Sequence, residues 1–250
     1  MRILLSNDDG YEAPGLLALA KALAPGNELH ICAPAEERSG AGHGLTLRGG
    51  LVWQHAVRHG ELPGVPREYV HGTPADAVKF ALEHIYRGVK FDLVVSGINS
   101  VLNLGTDTVY SGTFGAAEEG TLLGVPSMAV SVRAKRGGYD LAAEFVAKNL
   151  EKLTADIPPF VTLNVNLPSG IREEIRGIKV TPLGHRKYED YYEDAPEGFR
   201  LRGCPVDRAD DDADDDCKWS DAGYITLTPV RTSVSDGDML RALGEKRWEL

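Results

Sequence analysis

Asn7-Asp8-Asp9-Gly10 follows a short apolar run, Ile3-Leu4-Leu5-Ser6, and precedes a helix-like pattern. Two adjacent carboxylates at the exit of a first strand repel each other. They stand where an open parallel sheet puts its ligands, beyond the carboxyl ends of its strands. A cation between them removes the repulsion, because hard cations prefer oxygen ligands. The alternative is an Asx-type turn in which Gly10 supplies φ > 0. Other loop segments follow strand or turn signals in the same way: Arg38-Ser39-Gly40, then Ser96-Gly97-Ile98-Asn99, then Tyr110-Ser111-Gly112-Thr113. Asp8, Asp9, the Ser39 hydroxyl and the Asn99 amide oxygen suit an octahedral divalent cation that keeps waters, Mg²⁺ or Mn²⁺. Ser111-Gly112-Thr113 at a helix start suits an anion, because free N–H groups and the helix dipole point at it. A metal beside an anion site is what phosphoryl transfer to water requires. Taken singly, Ser39 reads as a turn residue, Asn99 as a capping residue and Ser-Gly-Thr as a helix cap.

Only an alternating strand–helix chain brings such loops to one edge. Strands are expected at 2–6, 28–33, 92–96 and 127–132, each a short continuous apolar run suited to a sheet buried on both faces. Pro14, Leu16, Ala20 and Leu23 begin a helical stripe that Pro25-Gly26 stops. Thr73-Pro74-Ala75-Asp76 reads as an N-cap, a first-turn proline and a first-turn acid. Ser111-Gly112-Thr113 opens another helix ending near Gly124, and Leu141, Phe145, Leu150 and Leu153 mark one more. Residues 51–70 read as a hairpin or irregular strands, 160–167 and 223–230 as strands, and 239–243 as helical. The expectation is one domain over 1–250. Its core, about 1–170, carries the site, and about 170–250 forms hairpins and an arm used in oligomerisation.

The chain has 250 residues and a formal net charge of −10, which argues against a nucleic-acid polymer as partner. No apolar run approaches membrane-spanning length and no leader precedes the first strand, so a cytoplasmic protein is expected. Cys32, Cys204 and Cys217 lack metal-type spacing; reduced thiols are expected, with a Cys204–Cys217 bridge as the alternative. Aspartates crowd 207–216, read here as a solvated insert.

In the order and spacing of these motifs the chain resembles the SurE family of nucleoside-monophosphate phosphatases. The resemblance rests on Asn7-Asp8-Asp9-Gly10, Arg38-Ser39-Gly40, Leu45-Thr46, Gly72-Thr73-Pro74-Ala75-Asp76 and Ser96-Gly97-Ile98-Asn99. It continues through Asn103-Leu104-Gly105, Asp107, Tyr110-Ser111-Gly112-Thr113, Leu163-Asn164-Val165-Asn166-Leu167-Pro168 and Gly223-Tyr224-Ile225-Thr226. It implies an α/β Rossmann-like, doubly wound, mostly parallel sheet and a metal-dependent 5′/3′-nucleotidase. One Mg²⁺ or Mn²⁺ per subunit would sit on Asp8, Asp9, Ser39 and Asn99. Phosphate or substrate contacts are expected from Asn7, Gly40, Asn103, Ser111, Gly112 and Thr113. A homodimer or homotetramer with an exchanged C-terminal part is also implied. Two departures stand out: Val101 where the family commonly has Gly, and Thr181-Pro182-Leu183 where it often reads Thr-Arg-Gln.

The expected reaction is in-line attack of water on phosphorus. Asp8 as covalent nucleophile is the competing role. His43 is a candidate general acid for the leaving ribose oxygen, or else a packing residue. His55 and His59 imitate a helical metal pair in a segment that is not convincingly helical. Tyr188, Tyr191 and Tyr192 suit base stacking or a subunit contact. The rival function is a nucleotide-binding or phospho-receiver-like regulator without turnover. It is weakened because Ser96 and Asn99, not an aspartate, stand at the exit of the later strand, and no GxGxxG follows the first.

Overall fold

The computed structural model describes residues 1–56, 62–134, 138–206, 213–232 and 237–245. Its strands are β1 (Arg2–Ser6), β2 (Glu28–Pro34), β3 (Val52–His55), β4 (Arg67–His71), β5 (Leu93–Asn99), β6 (Ser127–Val132), β7 (Val161–Leu167), β8 (Gly177–Val180), β9 (Tyr188–Ala195), β10 (Gly198–Pro205) and β11 (Tyr224–Arg231). Nine of them form one sheet in the order β3-β4-β2-β1-β5-β6-β7-β11-β8, and β9 and β10 pair as a separate hairpin. From β4 to β7 every neighbour is parallel. Every residue of β6 is buried, as is all of β5 but its last, because helices cover both faces.

The helices are α1 (Pro14–Leu23), α2 (Pro74–Phe80), α3 (Gly112–Leu122), α4 (Tyr139–Thr154), α5 (Asp216–Asp221) and α6 (Gly237–Gly244). Leu16, Leu19 and Leu23 of α1 join Val146 and Leu150 of α4 in a core on one face of the sheet. Ala77 and Val78 of α2 and Ala116 of α3 pack on the other, against Leu4 and Val94. Thr73 and Asp76 close a capping box at the start of α2: Asp76 N–H donates to Thr73 Oγ1 at 3.0 Å, and Thr73 N–H to Asp76 Oδ2 at 2.9 Å. Among the described residues, no helix is long and apolar enough to cross a membrane.

The strands expected at 2–6 and 127–132 have those bounds, and 51–70 contains an antiparallel hairpin of β3 and β4. His55 lies on β3, in keeping with a segment that does not read as helical, and its Nδ1 meets the buried Glu68 at 2.6 Å; His59 lies outside the described residues. One expectation, the solvated acidic insert, is corrected. Asp215 and Asp216 are buried, not solvated. Asp216 accepts from Gly105 N–H at 2.9 Å and Gly184 N–H at 2.8 Å, so backbone donors, not solvent, answer its charge. Asp207 and Asp210–Asp212 lie outside the described residues. All three cysteines are free, Cys204 exposed and Cys217 buried. β11 pairs antiparallel with β7 and parallel with β8, so the last quarter of the chain supplies an interior strand of the main sheet.

Candidate functional site

β1 lies between β2 and β5, so the strand order reverses beside it. At such a reversal the crossover helices leave to opposite faces and the strand ends open a crevice. Asp8 and Asp9 leave β1 at this point, Asn99 ends β5, and Ser39 follows β2. Arg38 N–H donates to the Asp8 carbonyl at 2.7 Å, and Gly42 N–H to the Tyr110 carbonyl at 3.0 Å. The loop after β2 is thereby tied both to the exit of β1 and to the segment opening α3.

A cleft of about 920 Å³ results, lined by Asp8, Asp9, Ser39, Gly40, Asn99, Asn103 and Ser111 among others. Of the residues singled out from sequence, these seven are brought together. Asn7, His43, Gly112 and Thr113 are not in the lining. Asn7 closes its own turn: its Nδ2 donates to Gly10 O at 2.9 Å and its Oδ1 accepts from Gly10 N–H at 3.2 Å. Gly10, at φ 107°, supplies the left-handed residue this turn needs. His43 sits between two carboxylates, with Nδ1 2.8 Å from Glu118 and Nε2 2.7 Å from Glu119. Lys79 reaches the other oxygen of Glu119 at 2.7 Å. The hydrogen bonds to Glu118 and Glu119 raise the His43 imidazole to about 9, so it is an imidazolium at neutral pH.

Helix α3 packs its first turn on Asp8. A Cβ at Gly112 would lie 2.8 Å from Asp8 Cβ, so only glycine allows this approach. The Thr113 hydroxyl donates to Asp8 Oδ1. Ser111 Oγ caps the helix by accepting from Phe114 N–H at 3.0 Å, and its own proton remains to be donated.

The donors have the chemistry of a hard-cation site. Burial raises Asp8 above the usual carboxylate range despite the Thr113 hydrogen bond. Burial, then the charges of Asp8 and Glu37, push Asp9 to about 6. Carboxylates gathered so that they resist ionisation are relieved by a cation. The neutral donors are aimed for one. Asn99 Nδ2 donates to the Val101 carbonyl at 2.7 Å, which leaves Oδ1 as the free end. Ser39 Oγ donates to Glu37 Oε1 at 2.7 Å, which leaves its lone pairs free. Val101 is an exposed residue without positive φ, so its departure from glycine costs the loop nothing. Asp215, Asp216 and Cys217 also cluster. Their carboxylates answer backbone N–H groups, Asp215 capping α5 at Lys218 N–H (3.1 Å), and the cluster reads as a structural lock.

Sequence reasoning missed Glu37 and the share of the hairpin, from which Tyr188, Asp190, Leu201 and Arg202 also line the cleft. Glu37 adjoins a recognised motif, but its role depends on how the loop folds. Tyr188 stood out as part of an aromatic cluster without a location.

A family model described as "Survival protein SurE" matches residues 3–190. A "5'-nucleotidase SurE" of Petrotoga mobilis is 41% identical over 254 residues, covering 99% of each chain. The protein of that name from Fervidobacterium nodosum is 42% identical over 253 residues, covering 97% of this chain and 96% of the relative. Among solved structures, the SurE protein of Aquifex aeolicus superposes with a TM-score of 0.81 at 32% identity, covering 97% of this chain and 98% of that one.

Proposed function

Because this chain belongs to the SurE family, we propose that it hydrolyses nucleoside 5′-monophosphates, and 3′-monophosphates, with one Mg²⁺ or Mn²⁺ per subunit held by Asp8, Asp9, Ser39 and Asn99. It is a nucleotidase, as its full-length relatives are named. The observation that supports the finer reading is the convergence of Asp8, Asp9, Ser39 and Asn99 on one cleft that Ser111, the N-cap of α3, also lines.

When bound, the cation supplies positive charge that polarises the ester and offsets charge spreading over the non-bridging oxygens. The chain's residues bind and orient. Ser111 Oγ–H and the Gly112 and Thr113 end of α3 receive phosphate oxygens, where the helix dipole favours negative charge. Gly40 and Asn103 line the same cleft and complete the phosphate contacts. Thr113 also fixes Asp8, which acts as a ligand and not as a nucleophile. Water then attacks phosphorus in line. Its oxygen bonds to phosphorus and the bond to the ribose oxygen breaks; of the water's two protons, one ends on the ribose oxygen and the other stays with the phosphate. His43, engaged at both ring nitrogens, anchors the loop after β2 to α3 in this reading. Asn7 acts by closing the Asp8-Asp9 turn.

The assembly we propose is a homodimer or homotetramer in the cytoplasm, built through the segment of about 170–250. Its support is the exposure of Tyr191, Tyr192 and Phe199 on the hairpin.

Phosphate release from a panel of nucleoside monophosphates, with Mg²⁺, Mn²⁺ or chelator, tests the reading. Metal-dependent release is expected. Nucleotide binding without release would favour a regulator, and release undiminished by chelator would remove the cation.

A further inference from the structure

The hairpin and the tight turn Gly105–Val109 meet at Asp107. Asp107 Oδ2 accepts from the Tyr188 hydroxyl at 2.9 Å and from Arg186 Nη1 at 3.2 Å. Beside it, Thr106 Oγ1 donates to the Arg186 carbonyl at 2.6 Å and accepts from Arg186 N–H at 3.2 Å. The Asp107 carbonyl accepts from Ser111 N–H at 3.1 Å, so the same residue holds the hairpin and the mouth of α3. Side chains alternate along a strand. Gly203 on β10 pairs with Asp190 on β9, so Tyr188 and Asp190 share a face with Gly203 and, two residues along β10, Leu201, and all four line the cleft.

At about 920 Å³ the cleft is of a size that encloses a whole small-molecule ligand. A phosphate group at Asp8 and Asp9 occupies only one end. The remainder must accept what the phosphate is attached to. In the lining of the same cleft stands a ring, that of Tyr188, fixed at its hydroxyl by Asp107 and restrained by the Arg186 guanidinium, 5.9 Å from its centre. Tyr188 is nevertheless 40% exposed, so part of the ring is open to a ligand. A tethered ring loses little freedom on binding, which is what a stacking platform needs.

We propose that this hairpin face is the nucleoside subsite, with Tyr188 the specificity-determining residue on which the nucleobase stacks and Asp107 the positioning residue that aims it. The inference rests on the nucleotidase reading above. Stacking accepts any base, because every base has a π-face, so the subsite selects nucleotides over base-free phosphate esters.

The test compares adenosine monophosphate with ribose 5-phosphate, and adenosine alone with inorganic phosphate as inhibitors. Wild-type enzyme should be inhibited by adenosine as well as by phosphate. Tyr188→Ala should raise KM for adenosine monophosphate roughly 10-fold with little change in kcat, and should weaken adenosine inhibition by a like factor. Ribose 5-phosphate turnover and inhibition by phosphate should stay within about twofold of wild type. Tyr188→Phe, which keeps the ring and loses the tether, should fall between, and Asp107→Ala, which removes the acceptor, should match it. Loss shared equally by adenosine monophosphate and ribose 5-phosphate, or an unchanged KM, overturns the proposal, as does a wild-type enzyme indifferent to adenosine. Failure of wild type to release phosphate from any nucleotide instead removes the nucleotidase reading, and the subsite with it.

Discussion

The Ser39 hydroxyl gives its proton to Glu37, 2.7 Å away across a single residue of loop. A hydroxyl can ligate a cation only through its lone pairs, so the residue that takes the proton decides where those lone pairs face. Glu37→Ala should weaken Mn²⁺ binding about 10-fold, while Glu37→Gln, whose amide oxygen still accepts, should lose less. Titration calorimetry reads both. Equal losses would mean that only the charge of Glu37 matters.

Asp8 is packed by Gly112 and bonded by Thr113, so its carboxylate is fixed in place. Asp8→Asn keeps the shape and removes the charge. Turnover should fall at least ~100-fold with the circular dichroism spectrum unchanged. Activity surviving within about tenfold would move the cation elsewhere.

Asp9 titrates near 6 in the folded chain against an ordinary 3.8. A raised carboxyl holds its proton more tightly when folded, so the metal-free protein loses stability as pH rises from about 4 through 6. The cation and the proton compete for the same oxygens, so metal affinity should fall as pH drops below about 6. In metal-free protein at pH 7, Asp9→Asn should melt at a higher temperature than wild type. Thermal unfolding across pH, with and without Mn²⁺, checks both statements.

His43 is held the opposite way. Its folded value of about 9 exceeds the ordinary 6.5, so its contribution is complete below 6.5 and disappears as pH rises through 9. His43→Gln should lower the melting temperature at pH 7 and flatten its decline toward pH 9.5. kcat at pH 7 should stay within about threefold. A collapse of kcat with loss of the alkaline limb of the rate profile would give His43 the proton-donor role.

Much of the core could be read from sequence because both-face burial leaves a local mark: continuous apolar runs at Ile3–Leu5, Val94–Val95 and Met128–Val130. Asp8, Asp9, Ser39 and Asn99 were legible because each follows such a run. What stayed hidden is non-local. Tyr188 reaches Asp107 across 81 residues, and Asp216 reaches Gly105 across 111. Composition marked Asp215 and Asp216 as solvent-facing. Their buried positions depend on backbone donors that only the tertiary fold supplies. β8 went unread because its alternation of half-buried and exposed residues, Gly177–Val180, is too short to stand out.

β11 enters the sheet between β7 and β8 although it comes nearly last in the chain. During synthesis the edge of β7 therefore stays open until the ribosome has released residue 231 and beyond. An unpaired edge beside a finished parallel sheet invites pairing with a neighbouring copy. Growing chains of this protein should depend on rapid completion or on a chaperone, and a stop codon near 220 should yield aggregate, not a smaller enzyme.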